Sequence, residues 1–353
     1  MTGIRGLARH LDLSIGTVSR ALNDRADVNP QTRARVLAAA ARLGYAANQS
    51  GRSLRRGQTD LVGVVVPSGG DQTLIDPVFL SVLDGLRRHL LGFGLDLAIF
   101  LHGEDEDLFG SLRRLTERGL VDGLILSNTR RVDPRIAFLV ERKRPFVAFG
   151  RSLTGVDHPW VDPDFEAAVE AAVGLLVARG HLRIALALPP GDVNYLHLIG
   201  AAFEAAMARR GLGPPPGFVE RRPRDEAGGE AAAAALLAAG APPTAILVSD
   251  SLQAIGLYRR LAAAGLAPGR DISVIGLLPE DRARILVPAL TVVETDWHAI
   301  GGRLGAALVA AMGREGAGAS RGVLQFLAPV ALREGASVHR PAPAARAGDG
   351  DAG

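Results

Sequence analysis

The sequence predicts an α/β protein: a small three-helix head, then two doubly wound lobes, each built on a parallel sheet with helices on both faces. Three observations carry this. Across 353 residues 48% are hydrophobic, ample for large cores and for two or three folding units. From Leu61 onward, short continuous apolar runs alternate with helical stretches, the pattern of strands buried on both faces of a parallel sheet. The alternation runs through two series in tandem, which implies two similar lobes. Ahead of it lies a segment of different rhythm and charge. Residues 1–58 hold ten arginines against three acids, a net +7; the remainder holds thirty basic against thirty-four acidic residues, a net −4. The overall +3 hides a basic head on an acidic body, an asymmetry that points to a polyanion as the head's partner. Single arginines weigh less, because Lys143 is the only lysine and heavy use of Ala, Gly and Pro suggests a GC-rich genome.

In "LARHLDLSIGTVSRALN", Leu7, Ala8 and Leu11 share one helical face. Asp12 stands where the chain must turn, a position at which aspartate tolerates a left-handed backbone better than most residues. Ser14 suits the cap of a second helix, whose inner face is Val18 and Leu22. The third helix has clear punctuation: Asn29 as cap, Pro30 at the first helical position, Gly44 as the stop, with Val36, Leu37, Ala40 and Leu43 as its buried stripe. Two helices joined by so tight a turn fit a helix-turn-helix, whose second helix enters a DNA major groove. The following "AANQSGRSLRRGQTD" is polar, basic and glycine-broken, too short to be a stable helix alone, and reads as a linker.

The body's first series has strands in "LVGVVVP", "LDLAIFL", "DGLILS" and "PFVAFG", with helices near 77–92, 105–118 and 133–142. The second has "RIALAL", "GFVERR", "TAILVS" and "ISVIGL", with helices near 164–179, 195–210, 226–239 and 251–264. "LTVVETD" and a helix at 297–312 come late enough to cross back to the first lobe, and "VLQFLAPVALREG" supplies closing strands. The Pro-, Ala-, Gly- and Asp-rich tail from Pro341 is expected to be disordered.

Several chemistries are excluded. With no cysteine there is no disulfide framework, thiolate metal site or cysteine nucleophile. G-x-S-x-G, G-x-x-x-x-G-K-[ST] and H-E-x-x-H are absent. "GFGLD" follows a helix and precedes a strand, the wrong order for a dinucleotide loop. The eight histidines are scattered. We expect no enzyme, no cofactor and no metal. Without an eighteen-residue apolar run or a signal peptide, a soluble, cytoplasmic protein is expected.

Three adjoining stretches, "LARHLDLSIGTVSRALN", "VNPQTRARVLAAAARLGYAAN" and "GRSLRRGQT", together resemble the lactose-repressor (LacI/GalR) family of bacterial transcription regulators. "DPVF", "GLVDGLILS", "LVARGHLRIAL", "DISVIGL" and "PALTVVETD" carry the likeness through the core, and His181 of "GHLRIA" matches a structural turn motif there. The resemblance implies a helix-turn-helix domain over 1–46, a hinge over 47–59, and an effector-binding and dimerisation core over 60–340 that is similar to type I periplasmic binding proteins. The first lobe would be about 60–160 with 292–322, the second about 161–291 with 323–340, and the tail 341–353. Implied partners are double-stranded operator DNA, a second copy of the chain and a small-molecule effector, a sugar or related metabolite, between the lobes.

On these positions the recognition helix, capped by Ser14, runs from about Ile15 to Asn23. Ile15 can make only apolar contacts and Gly16 no side-chain hydrogen bond, so Arg20 is the candidate for a bidentate guanine contact. Thr17, Ser19, Asn23 and, at the hinge, Asn48 suit DNA-backbone contacts, which position without reading sequence. Leu54, flanked by Arg52, Ser53 and Arg55, occupies the place of the leucine that wedges into the operator's minor groove in this family. Ala47 replaces a usual proline and Gly51 a usual alanine; glycine inside a helix costs about 1 kcal/mol, so the hinge helix should form poorly off DNA. Effector-site positions are Asp76, Phe79, Arg151, Trp160, Asn194, His197 and Asp250. His197 stands where the family has a pocket arginine, Asp250-Ser251 where it has Asn-Asp, and Leu278 where it has an aspartate for sugar hydroxyls. These changes imply a less polar cleft with fewer charge-assisted bonds. Two other readings follow: a DNA-binding regulator whose core is a ligand-independent dimerisation module, and a solute-binding protein, which should have a signal peptide and no basic head.

Overall fold

The computed structural model describes residues 3–22, 25, 27–43, 58–68, 77–103, 107–213, 217–278, 285–314 and 323–341. Backbone contacts divide the chain into two units, residues 1–59 and 60–353.

The first unit is three helices, α1 (Ile4–Leu11), α2 (Ile15–Leu22) and α3 (Pro30–Arg42), around a small core. Leu7, Ala8, Val18, Ala21, Val28, Val36, Ala39 and Ala40 are buried. Asp12 takes the left-handed conformation at φ 53° and ends α1; Asn29 caps α3 by accepting from the Gln31 amide at 2.8 Å. Three positions differ from expectation, among them Leu43, which is only half-buried. Leu37 is 50% exposed, because one residue on from Val36 the helix has already turned by about 100°. Leu22 is only half-buried, and the small Ala21 fills the tighter space.

The second unit holds two six-stranded sheets. The first comprises β1 (Leu61–Ser68), β2 (Asp96–Gly103), β3 (Gly123–Leu126), β4 (Phe146–Phe149), β5 (Trp160–Pro163) and β11 (Gln325–Ala328) in the order β11-β5-β4-β3-β1-β2, all parallel. The second comprises β6 (Ile184–Leu188), β7 (Val219–Arg221), β8 (Ala245–Val248), β9 (Ser273–Leu277), β10 (Thr291–Glu294) and β12 (Ala331–Arg333) in the order β12-β10-β9-β8-β6-β7, parallel except for the antiparallel edge β12. Around them, in chain order, lie α4 (Pro77–Leu91), α5 (Leu108–Glu117), α6 (Pro134–Glu141), α7 (Phe165–Ala178), α8 (Asn194–Ala208), α9 (Glu226–Leu237), α10 (Ser251–Ala263) and α11 (Trp297–Ala311). β3, β6, β8 and β9 are buried along their whole length, as continuous apolar runs require when both faces are covered.

The chain changes lobe at places other than those expected. Thr291–Glu294 pairs with β9 and stays in the second sheet; the helix after it, α11, crosses to pack in the first lobe's core. Gln325–Ala328 then extends the first sheet and Ala331–Arg333 the second. Lobe membership is decided by which neighbour a strand's backbone pairs with, and apolar patterning alone does not encode that.

Each lobe contains a helix pair that crosses at glycine. In the first, a Cβ on Gly85 would strike the His298 carbonyl and one on Gly301 the Val82 carbonyl, so α4 and α11 touch backbone to backbone. In the second, Gly229 and Gly256 stand in the same way against the carbonyls of Gln253 and Glu226, joining α9 to α10. A methyl at any of these positions must push whole helices apart.

Beneath the second sheet, His181 is fully buried. Its Nε2–H donates to the His339 carbonyl at 3.0 Å, and its Nδ1 lies 2.9 Å from the Thr244 hydroxyl. The Ser273 hydroxyl lies 2.9 Å from His181 Nε2 and 3.0 Å from His339 Nδ1, so the C-terminal segment is stitched to the start of β9. Burial pushes the His181 pKa down to about 4, so the ring is neutral in the fold.

Two outcomes follow. Gly301→Ala should lower stability by about 3 kcal/mol, as overpacking against rigid backbone does, read as a drop in urea midpoint at constant slope. Because its folded pKa lies below the unfolded value, His181 supports the fold fully above about pH 6.5, and this support fades as pH falls toward 4, a loss of about 3 kcal/mol. Urea titrations at pH 7.5, 5.5 and 4.5 should show this slope in the native chain and a flatter one in His181→Gln.

Candidate nucleic-acid interface and inter-lobe seam

In the head, the α1–α2 turn is closed by the Leu13 amide on the Ala8 carbonyl at 3.0 Å. Ser14 caps α2: its Oγ accepts from the Thr17 amide at 3.0 Å and meets the Thr17 hydroxyl at 2.8 Å. Val18 and Ala21 face inward, which turns Ile15, Gly16 and Arg20 outward and leaves Thr17 and Ser19 at the flanks. Ile15 is 46% exposed. Nothing in the fold demands a glycine at 16, since a Cβ there would meet only Ser14 Oγ, at 3.7 Å. The outward face is therefore an apolar residue, a stretch of bare backbone and a guanidinium, a shape that can approach a groove floor closely. Arg42 Nη2 sits 2.6 Å from His10 Nε2 and ties the end of α3 to α1. Asn23, Asn48, Arg52, Ser53, Leu54 and Arg55 lie outside the described residues.

In the body, the carboxyl ends of the two sheets meet along a seam. The backbone of Arg130, after β3, bridges to Val193, after β6. Asn194, buried at the start of α8, donates its amide N–H to the Thr129 carbonyl and its side-chain Nδ2 to the Arg151 carbonyl, both at 2.8 Å. Arg151 leaves the end of β4 over the ring of Trp160, 5.8 Å from its centroid. Its Nε donates to Asp162 at 2.9 Å, and its Nη1 and Nη2 donate to the two oxygens of Glu166 at 3.1 and 2.7 Å. Burial raises the Asp162 pKa to about 6 despite the arginine. Partial burial would also raise Glu166, but its bonds to Arg151 outweigh this and hold it below the usual carboxylate value. The loop after β3 is fixed from beneath by Asp133 and Arg135. This ion pair is buried at 2.7 Å, and the guanidinium also binds the carbonyls of Ser127 and Asn128.

Of the expected effector residues, Arg151, Trp160 and Asn194 come together here. Phe79 packs on the first lobe's core. Asp250 caps α10 by accepting from the Leu252 and Gln253 amides and takes Arg224 Nε at 2.5 Å. His197 Nε2 lies 3.5 Å from Asp192 Oδ1. Asp76 lies outside the described residues. Leu278 is buried in the second lobe's core and holds a left-handed backbone, φ 51°, which costs a branched residue about 1–2 kcal/mol. Sequence reasoning missed Asp162, Glu166 and Arg224, which supply the countercharges, and the stacked pair Phe165–Tyr195, 5.6 Å between centroids. One signal was available: an aspartate at the third position of "WVDP", inside an otherwise buried strand. Among the described residues, no three His, Asp or Glu are grouped to hold a metal, and no helix is long and apolar enough to cross a membrane.

Two family models match the chain: bacterial regulatory proteins of the lacI family over residues 4–48, and a periplasmic binding protein-like domain over 173–338. The HTH-type transcriptional regulator AglR of Rhizobium meliloti is 34% identical over 320 residues, covering 89% of this chain and 88% of that one. The ribose operon repressor of Escherichia coli is 27% identical over 296 residues, covering 83% and 88%. In fold, the chain is similar to the lac repressor dimer crystallised on its operator with an anti-inducer, with a TM-score of 0.83 at 24% identity over 96% of this chain and 99% of that one. With the capped helix pair and the two matched sheets, these likenesses establish that the chain belongs to the LacI family of bacterial helix-turn-helix transcriptional regulators.

Proposed function

We propose that the protein is a repressor that binds a pseudo-palindromic operator as a homodimer and releases or grips it according to a small polar metabolite, a sugar or a related compound, held between the lobes. The observation that carries the DNA half is α2: Ser14 caps it, Val18 and Ala21 anchor it, and Ile15, Gly16 and Arg20 form its outward face. A helix presented in this way fits the major groove, and two copies address two half-sites one helical turn apart. In this reading Arg20 contacts a guanine, Thr17 and Ser19 contact phosphates, and the hinge over 47–59 inserts Leu54 in the minor groove. The likeness to the ribose operon repressor supports a sugar-class effector.

A specific observation favours the second reading, a core that dimerises without a ligand. Arg151, Asn194 and Asp250, three positions at which the family resemblance implies effector contacts, are all bonded to other residues of the chain. Isothermal calorimetry of the purified chain against a panel of pentoses, hexoses and disaccharides separates the two: a saturable heat supports the effector reading, and none at millimolar sugar supports the dimerisation module.

Arg20→Ala should weaken preference at one guanine in each half-site by about 1–3 kcal/mol, measured by competition between matched and substituted duplexes. An equal loss on random DNA would make Arg20 a phosphate contact. Leu54→Ala should leave sugar binding intact while reducing operator bending in a circular-permutation gel assay; unchanged bending would remove the wedge from the mechanism.

A further inference from the structure

Arg20 has a companion whose place suggests a purpose. Its Nε stands 3.7 Å from Oδ2 of Asp27, and both side chains are more than half exposed. Exposed pairs at this spacing add next to nothing to stability. The head has its own support in Leu7, Val18, Val28 and Val36, all buried, so the pair is dispensable to the fold. Yet the described residues on either side of Asp27 are tied in. The Arg25 amide donates to the Arg20 carbonyl at 3.1 Å, directly off the end of α2. The Arg25 carbonyl accepts from the Val28 amide at 3.2 Å and from Arg33 Nη2 at 2.5 Å. Val28 is sunk in the core, and the next residue, Asn29, is the cap of α3. Asp27 is thus presented beside the reading helix between Arg25 and Val28, both bonded in place.

The geometry of the approach matters. A guanidinium is a planar fork with five N–H donors, and a carboxylate on its Nε side leaves the terminal Nη pair free for a second bidentate partner. A guanine offers two acceptors, O6 and N7, at that spacing. Resting on the reading that α2 enters the major groove, we propose that Asp27 is a positioning residue for base recognition. It holds Arg20 by the Nε edge, turns the Nη pair toward guanine, and by partly neutralising the cation makes the nearest phosphate a poorer competitor. Specificity is then gained through a disfavoured alternative as much as through a favoured contact.

The test uses the full-length protein and a pool of randomised duplexes read by sequencing. The native chain should enrich one guanine per half-site that Arg20→Ala no longer enriches. Asp27→Ala and Asp27→Asn should reduce enrichment at that one position about tenfold and leave the others unchanged. Both should tighten binding to a random-sequence duplex several-fold and steepen its salt dependence by about one phosphate contact. Asp27→Glu, which keeps the charge, should restore most of the preference. Thermal melts of all variants should coincide. Enrichment at the guanine unchanged in Asp27→Asn would overturn the assignment, as would an even loss at every position with unaltered random-duplex binding. If the native chain enriches no sequence, the operator reading itself fails and takes this assignment with it, an outcome distinct from a native chain that selects and an Asp27 variant that selects identically.

Discussion

A carboxylate inside a sheet must find a cation or give up its charge, and Asp162 does some of each. Burial has pushed its pKa to about 6, and only Arg151 keeps it from rising further. That demand fixes more than one bond. With its Nε on Asp162 and its terminal nitrogens on Glu166, Arg151 can occupy little beyond one rotamer, and its backbone is held with it. The Arg151 carbonyl in turn receives the Asn194 side chain from the other lobe. A charge desolvated in the first sheet thereby orders the seam along which the second sheet meets it. Asp133 and Arg135 act in the same way one loop over, holding the carbonyls around the turn that offers Thr129 to the Asn194 amide. Removing the cation from such a pair costs far more than the pair's net stabilisation, because the stranded charge remains buried.

The sequence made the elements legible, and the charge partners much less so. Cap residues acted where they stand: Ser14 and Asn29 each accept an amide at a helix start. Local chemistry of this kind is written within three or four residues and can be read there. Strands announced themselves by apolar runs, yet their neighbours did not, so β10 was expected in the first lobe and pairs in the second. Arg151 could be singled out as a seam residue by position. Its partner Glu166 could not, since it lies fifteen residues away on another element. Leu37 failed for a simpler reason: one residue on from the buried Val36, the helix carries its bulky side chain about 100° round and out of the small core.

The glycine crossings show a second constraint repeated in both lobes. α4 meets α11 through Gly85 and Gly301, and α9 meets α10 through Gly229 and Gly256. In each case a helix carbonyl occupies the space where a methyl would stand, so the two backbones approach as closely as their own atoms allow. The lobes carry this contact in different chain positions: adjacent helices in the second, helices separated by most of both lobes in the first. In the first lobe the crossing also secures the long return of the chain, because α11 arrives after every strand of the second sheet but β12 has formed.

These constraints bear on how a ligand could work on the seam under the function proposed above. A ligand shifts an equilibrium only by its differential affinity for two arrangements. Where Arg151 and Asn194 already have partners, a sugar hydroxyl that merely replaces one of those bonds gains little, since one hydrogen bond is exchanged for another of similar worth. A ligand gains more by burying apolar area than by exchanging such bonds. Under that function, a ligand at the seam would owe its affinity more to buried area than to ionic bonds. Such binding has a thermodynamic mark, a negative heat-capacity change that a hydroxyl-for-hydroxyl exchange would lack.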